Sequence, residues 1–221
     1  MKKILIILIS ISSVLYTHAQ IEKLAGPRLG AVLINPGISS HWINKERSLW
    51  DEVSPTINDD AKSALISLYG WQWESRFADG GDITGIVEWI ALVGGTERGK
   101  FIPSISSMVG IRTAKGIEFA VGPNLSLSGV AIVLGAGYNI KSGKLNIPVN
   151  IAFVPGSTRK IDAKYEYEDE WYAGEDGLWN TADDEYITTE TLIHEEFLAN
   201  IGSRISITFG FNLNREAKDK K

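Results

Sequence analysis

From residue 69 onward, apolar and less apolar positions alternate with period two, the spacing that puts successive side chains on opposite faces of a β-strand. Tyr69, Trp71, Trp73 and Phe77 share one face of the first such segment, against Gly70, Gln72, Glu74 and Arg76 on the other. Val87, Trp89, Ala91 and Val93 oppose Glu88 in the next. Phe101, Pro103, Ile105, Val109 and Ile111 then face away from Ser104, Ser106, Met108, Gly110 and Arg112, and Ile117, Phe119 and Val121 away from Glu118 and Ala120. The pattern returns over Val130 to Asn139, over Leu145 to Phe153 and over Ile205 to Leu213. With Arg28 to Ile34 as the first, this predicts eight strands. The turn-forming clusters 78–82, 114–116 and 141–144 separate strands by short connections. Helix is a minor component, its best candidate Ala61 to Leu68, with Asn58, Asp59 or Asp60 as N-cap.

Alternation alone fits a soluble barrel and a membrane barrel with opposite senses of burial. The less apolar face distinguishes them. It is mostly Gly, Ser, Ala and Asn with isolated Glu74, Arg76, Glu88, Arg112 and Glu118, whereas a face meeting bulk water would be rich in Lys, Asp and Glu. Small residues suit the crowded lumen of an eight-stranded barrel, where a few charges can pair. The apolar face would then meet lipid, with Trp71, Trp73, Trp89, Tyr138, Phe153 and Phe211 as aromatic anchors. The connections agree: those on one side are short, and those on the other, about 36–68, 94–99, 122–128 and 155–201, include two long loops. The expected fold is therefore all-β, a single antiparallel up-and-down β-barrel of about eight strands with two long loops on one side.

Lys2 and Lys3, the apolar run Ile4 to Tyr16 and the short segment Thr17-His18-Ala19 read as a secretory signal, giving a signal peptide over 1–19, a barrel domain over 20–213 and a charged tail over 214–221. The chain has no Cys, which excludes disulfides, thiolate metal sites and cysteine nucleophiles. Between Asp162 and Glu196 stand thirteen carboxylates and one Lys, although the whole chain carries only −5, so the rest is net positive. No basic stripe offers itself to nucleic acid. The runs Gly70-Trp71-Gln72-Trp73-Glu74, Glu88-Trp89-Ile90, Phe101-Ile102-Pro103-Ser104, Gly122-Pro123-Asn124-Leu125-Ser126-Leu127-Ser128-Gly129 and Asn146-Ile147-Pro148-Val149-Asn150 resemble a family of small outer-membrane-type β-barrel proteins of Gram-negative bacteria. The resemblance covers about 69–155 and the last strand, and implies fold and location rather than activity. A charged tail after Phe211, in place of a terminal aromatic, departs from the usual ending of such barrels.

Candidate chemistry is sparse. After signal removal only His41 and His194 remain, both in expected external loops. Ser39 or Ser40 beside His41 allows the Ser/His pair that a lipid-modifying enzyme would use, but neighbours on a loop do not by themselves make a triad. Glu74, Glu88 and Glu118 read as ion-pair partners of Arg76 and Arg112. Gly94-Gly95-Thr96-Glu97-Arg98-Gly99 lacks the phosphate-loop lysine and reads as a plain loop. Clustered carboxylates around Gly174 and Gly177 suit Ca²⁺, with Glu175, Asp176, Asp183 and Asp184 as ligands, although the spacing is not that of an EF-hand. The flanks Lys164 to Trp171 and Tyr186 to Phe197 are expected to extend the last two strands. The expected function is an outer-membrane barrel without catalysis, its partners membrane lipid and a surface ligand or protein. The alternatives are a soluble periplasmic barrel binding a small apolar ligand and, second, a lipid-modifying enzyme.

Overall fold

The computed structural model describes residues 23–45, 55–143, 145–172 and 185–214, so the expected signal peptide and most of the charged tail lie outside the described residues. In chain order the first strands are β1 (Lys23–Ile34), β2 (Ala64–Asp79), β3 (Ile83–Gly94), β4 (Ile102–Thr113), β5 (Ile117–Ser126), β6 (Gly129–Ser142) and β7 (Leu145–Val154). The short helices α1 (Ile38–Asn44) and α2 (Ile57–Asp60) stand between β1 and β2. Then come β8 (Thr158–Ile161), β9 (Lys164–Tyr172), β10 (Glu185–His194) and β11 (Phe197–Asn200), followed by β12 (Arg204–Gly210) and β13 (Asn212–Asn214). The chain divides into two compact units, one of Leu65–Pro155 with the segments before Ile34 and after Ser203, the other of Ile34–Ala64 and Gly156–Ser203.

The first unit is a closed antiparallel barrel. β2 to β7 pair in sequence order, β1 pairs with β2, and β12 and β13 together fill the place between β7 and β1. These two are one strand interrupted at Phe211, whose N–H donates to the Pro27 carbonyl at 3.0 Å while the proline has no N–H to return. Eight strand positions therefore close the ring, as the alternation predicts. Among the residues whose burial is described, the faces assigned above are observed. The inward side chains Gln72, Glu74, Glu88 and Arg112 are 0–3% exposed, whereas the outward Trp73, Trp89, Val109, Phe119, Val130 and Ile132 are 49–75% exposed. A strict period of two propagates this polarity around the ring, since a one-residue slip would exchange the faces.

Three local expectations are corrected. Ala61–Leu68 is not helical: β2 begins at Ala64, with Ala64, Ile66 and Leu68 buried while Leu65 is 59% exposed. A short, nearly continuous apolar run fits either period, and here the neighbouring strands settle it. Asn58, Asp59 and Asp60 lie within α2, whose N-cap is Thr56. The segment 122–128 is mostly strand, leaving only Leu127-Ser128 as the turn between the paired Ser126 and Gly129. Gly122 and Pro123 disguise it, and the β4–β5 ladder skips them, because proline has no N–H to contribute. The first strand also starts five residues earlier than expected, at Lys23 rather than Arg28.

Gly122 has a packing role. A Cβ there would come within 2.8 Å of the Met108 Cα and closer still to the Ser107 carbonyl oxygen, both on the adjacent strand. Gly122→Val should therefore cost about 1–3 kcal/mol by overpacking. A lower urea midpoint with an unchanged m-value is the expected readout.

In the second unit α1 and α2 supply the buried Ile43 and Ile57, with Ala61 and, from β11, Ala199. The base of this unit is tied by Asn35, which donates its N–H to the Ser203 carbonyl at 2.9 Å and its side-chain amide to the Ser203 hydroxyl at 2.7 Å. β8 pairs with β11, and β9 with β10. The two long connections thus carry secondary structure of their own. β9 and β10, expected as extensions of the last two barrel strands, form a separate two-stranded sheet.

Candidate functional site

Two features concentrate polar chemistry: the interior of the barrel and the β9–β10 hairpin. Inside the barrel, Arg112 on β4 donates two hydrogen bonds to the Glu74 carboxylate on β2, at 2.5 and 2.7 Å, and a third from Nε to Glu118 on β5. Arg112 and Glu118 are register partners, so their approach follows from the β4–β5 ladder. Glu74 reaches Arg112 over the intervening β3, from β2 to β4. The bidentate fork is the geometry in which guanidinium and carboxylate bind best.

A second chain of bonds starts at Arg28 on β1. Its Nε donates to the Thr208 hydroxyl at 2.9 Å, its Nη1 to Gln72 Oε1, and its Nη2 to the Asn150 amide oxygen at 2.9 Å once that amide is turned to satisfy its neighbours. Gln72 in turn donates to Glu88 at 2.6 Å. Strands β1, β2, β3, β7 and β12 are thereby joined through their side chains. On the same inner surface Ile90, Met108, Val133 and Val154 form a buried apolar cluster. With Arg28, Gln72, Glu74 and Glu88 at 0–2% exposure, side chains rather than open solvent fill the middle of the lumen.

Of the expected pairings of Glu74, Glu88 and Glu118 with Arg76 and Arg112, those of Glu74 and Glu118 with Arg112 are observed, and Glu88 instead accepts from Gln72. Arg28 is the residue that the sequence reading missed. Its signal was parity: Arg28 stands on the same alternating face as Gly26, Gly30 and Val32, the inward face of β1.

The outer face carries a shallow apolar groove of about 470 Å³, walled by Phe77, Val109, Ile111, Phe119, Val121 and Leu134 above Gly110, Ala120 and Gly135. At one strand end the 94–99 loop includes a single helical turn over Thr96–Arg98. Glu97 there accepts from the Ser67 N–H at 2.9 Å and from the Ser67 hydroxyl, and these bonds hold its carboxyl below the usual carboxylate range. The stabilisation is present above the unfolded-state pKa and is lost as pH falls through the lower folded-state value. Stability measured from neutral pH down to about pH 3 should decline less steeply in Glu97→Gln than in the parent chain.

β9 and β10 pair from Glu185↔Tyr172 to Leu192↔Tyr165, which divides their side chains into two unlike faces. One carries Tyr165, Tyr167 and Trp171 with Tyr186 and Leu192. The Trp171 and Tyr186 rings lie 4.9 Å apart, tilted by 50°. Carboxylates sit among these rings: the Tyr167 hydroxyl donates to Glu190 at 3.1 Å, and Asp169 accepts from Thr188 at 2.9 Å. Hydrogen bonding to Glu190 raises the Tyr167 pKa, while hydrogen bonds from Tyr186 and Thr188 lower that of Asp169. The opposite face carries Glu166, Glu168, Glu170 and Glu185 together with Tyr172 and Ile187. All residues of β9 are exposed, as are all of β10 except His194.

Glu175, Asp176, Asp183 and Asp184, read from the sequence as calcium ligands, lie outside the described residues. Among the described residues no cluster of three or more His, Asp or Glu side chains is arranged to hold a metal. Ser40, on α1, is fully buried, and its hydroxyl donates to the Gly37 carbonyl and accepts the Gly37 N–H, both at 3.1 Å. His194 approaches the Glu195 carbonyl with Nδ1 at 2.9 Å and packs edge-on to Phe197. Ser39, Ser40 and His41 thus stand in a short helix whose buried hydroxyl is engaged locally. Compared with protein-family models, curated proteins and solved structures, the chain matches none.

Proposed function

We propose that the chain is an outer-membrane β-barrel protein with a surface-binding role, its second unit exposed outside the cell and no reaction catalysed. The observation that carries this reading is the polarity of the barrel: Arg28, Glu74, Glu88 and Arg112 are buried inside while large apolar side chains cover the outside. A soluble protein of this size exposes charge and buries its apolar rings. The lumen also differs from an apolar-ligand cavity, because hydrogen-bonded Arg, Gln and Glu occupy its middle. Strand lengths agree, since a transmembrane β-strand needs about 9–11 residues. β1 to β7 run 10–16 residues each. The non-catalytic reading rests on Glu74, Glu88 and Glu118 each being bonded to a neighbouring side chain rather than left facing a substrate.

Fractionation of cells tests the location: the protein should sediment with outer membrane and be released by detergent but not by high salt. A cysteine at Thr189 should react with an impermeant thiol reagent on intact cells, and one at Ser142 should not. Recovery in the soluble periplasmic fraction would refute the membrane reading, and reversed labelling would refute the orientation.

A further inference from the structure

We propose that the aromatic face of the β9–β10 hairpin is the docking surface for an extended, arginine- or lysine-rich polypeptide segment. This deepens the surface-binding role and rests on it. Among the described residues β9 and β10 pair only with each other, and an isolated two-stranded hairpin is marginal in water. Tyr167 and Trp171 are nevertheless 61% and 59% exposed, and Tyr186 48%. Contiguous exposed rings on such an element mark a binding surface.

Charge selects the occupant. The two strands hold six carboxylates against Lys164, a net −5. A second copy of the hairpin would bring the same charge and be repelled, as would an anionic membrane surface. A neutral saccharide could stack on the rings but would gain nothing from the charge. A guanidinium or ammonium group gains from both features. Laid on the face of Tyr167, Trp171 or Tyr186 it makes a cation–π contact, and Asp169 and Glu190 on that same face supply the counter-charge. The four glutamates of the opposite face add a longer-range field that speeds encounter.

Spacing selects an extended segment. Tyr165, Tyr167, Asp169 and Trp171 recur at every second residue of β9, about 6.8 Å apart. Basic residues at alternate positions of an extended partner repeat at the same interval, so one cation can meet each ring or carboxylate in turn. Strand-on-strand recognition uses this periodicity.

The test uses the full-length protein in detergent micelles, titrated calorimetrically with a peptide of about ten residues alternating Arg and Thr. Saturable binding below about 100 µM is expected, with a control peptide carrying Gln for Arg at least tenfold weaker. Asp169→Asn with Glu190→Gln should weaken binding about tenfold and flatten its salt dependence. Trp171→Ala with Tyr186→Ala should do so by a similar factor with the salt dependence retained. Glu166→Gln with Glu168→Gln, on the opposite face, should change affinity by no more than about threefold. Equal binding of the two peptides, binding of neutral maltohexaose in place of the basic peptide, or concentration-dependent self-association of the hairpin face would each overturn the proposal. If the aromatic variant unfolds the hairpin, the two-peptide comparison on the unaltered chain still decides. Because the titration is done in micelles, its failure leaves the membrane reading standing, and recovery of the chain as a soluble protein would leave the titration valid.

Discussion

Replacing Arg112 with Met should destabilise the folded barrel by about 3–5 kcal/mol, the largest effect expected of a single substitution in this chain. The magnitude follows from what remains behind. Glu74 and Glu118, respectively 1% and 2% exposed, would face each other in the lumen without the guanidinium that now bonds both. Methionine fills most of the vacated volume, so the loss reports on charge and hydrogen bonding rather than on a cavity. A triple variant, Arg112→Met with Glu74→Gln and Glu118→Gln, removes the stranded charges and should recover most of the loss, since replacing a whole buried ion set is often close to neutral. Urea midpoints in lipid vesicles or micelles give both values. A loss under about 0.5 kcal/mol for Arg112→Met would mean that water reaches the pair and screens it.

Replacing Ile207 with Arg should cost about 2–4 kcal/mol in a lipid bilayer if the position lies near the midplane. Ile207 lies midway along β12, paired with Ile151 on β7, and both point outward, 43% and 55% exposed. An outward position in water would tolerate Arg within about 0.5 kcal/mol, so the size of the effect reports the medium outside the barrel rather than the packing within it. Ile207→Ala is the control for lost apolar area and should cost clearly less. The same Arg variant measured in thick and thin bilayers should shift with the depth of the site.

The parts of this fold legible in the sequence are those where period two runs unbroken between turn residues. β6 alternates Val130, Ile132, Leu134 and Tyr138 against Val133, Gly135, Gly137 and Asn139. β7 and β12 are as regular, and all three were placed with the correct faces. Sequence reading failed where a local signal competes with a ladder. At Ala64 to Leu68 an apolar run suits helix and strand alike, and only pairing with neighbouring strands decides. At Gly122-Pro123 two turn-type residues sit inside β5 because the adjacent β6 ladder carries them through.

The charged interior was half legible for a related reason. Glu74, Glu88, Arg112 and Glu118 are isolated charges in small-residue faces and so announce themselves as luminal. Arg28 is the first residue of the strand the sequence predicts, and Leu24 and Gly26, which share its inward face, lie before that start. Which charges pair is a property of the closed ring. The Arg28–Thr208 bond joins the first strand to the last, where the ring closes, a contact 180 positions apart that no local pattern encodes. β9 and β10 are expected from the sequence as extensions of the last two barrel strands, whereas their separate sheet and its division into two faces follow from the register.

Whether the outward face meets lipid is read most directly from Trp89, 52% exposed on β3 beside its register partner Trp73. In a variant retaining Trp89 as the sole tryptophan, with the other six changed to Phe, the protein is folded into vesicles containing lipids brominated at defined acyl positions. Strong quenching by acyl-chain bromines, with blue-shifted emission, is the expected result. Emission indifferent to the brominated lipids, from protein that stays folded and monodisperse in detergent-free buffer, would contradict a membrane-embedded barrel.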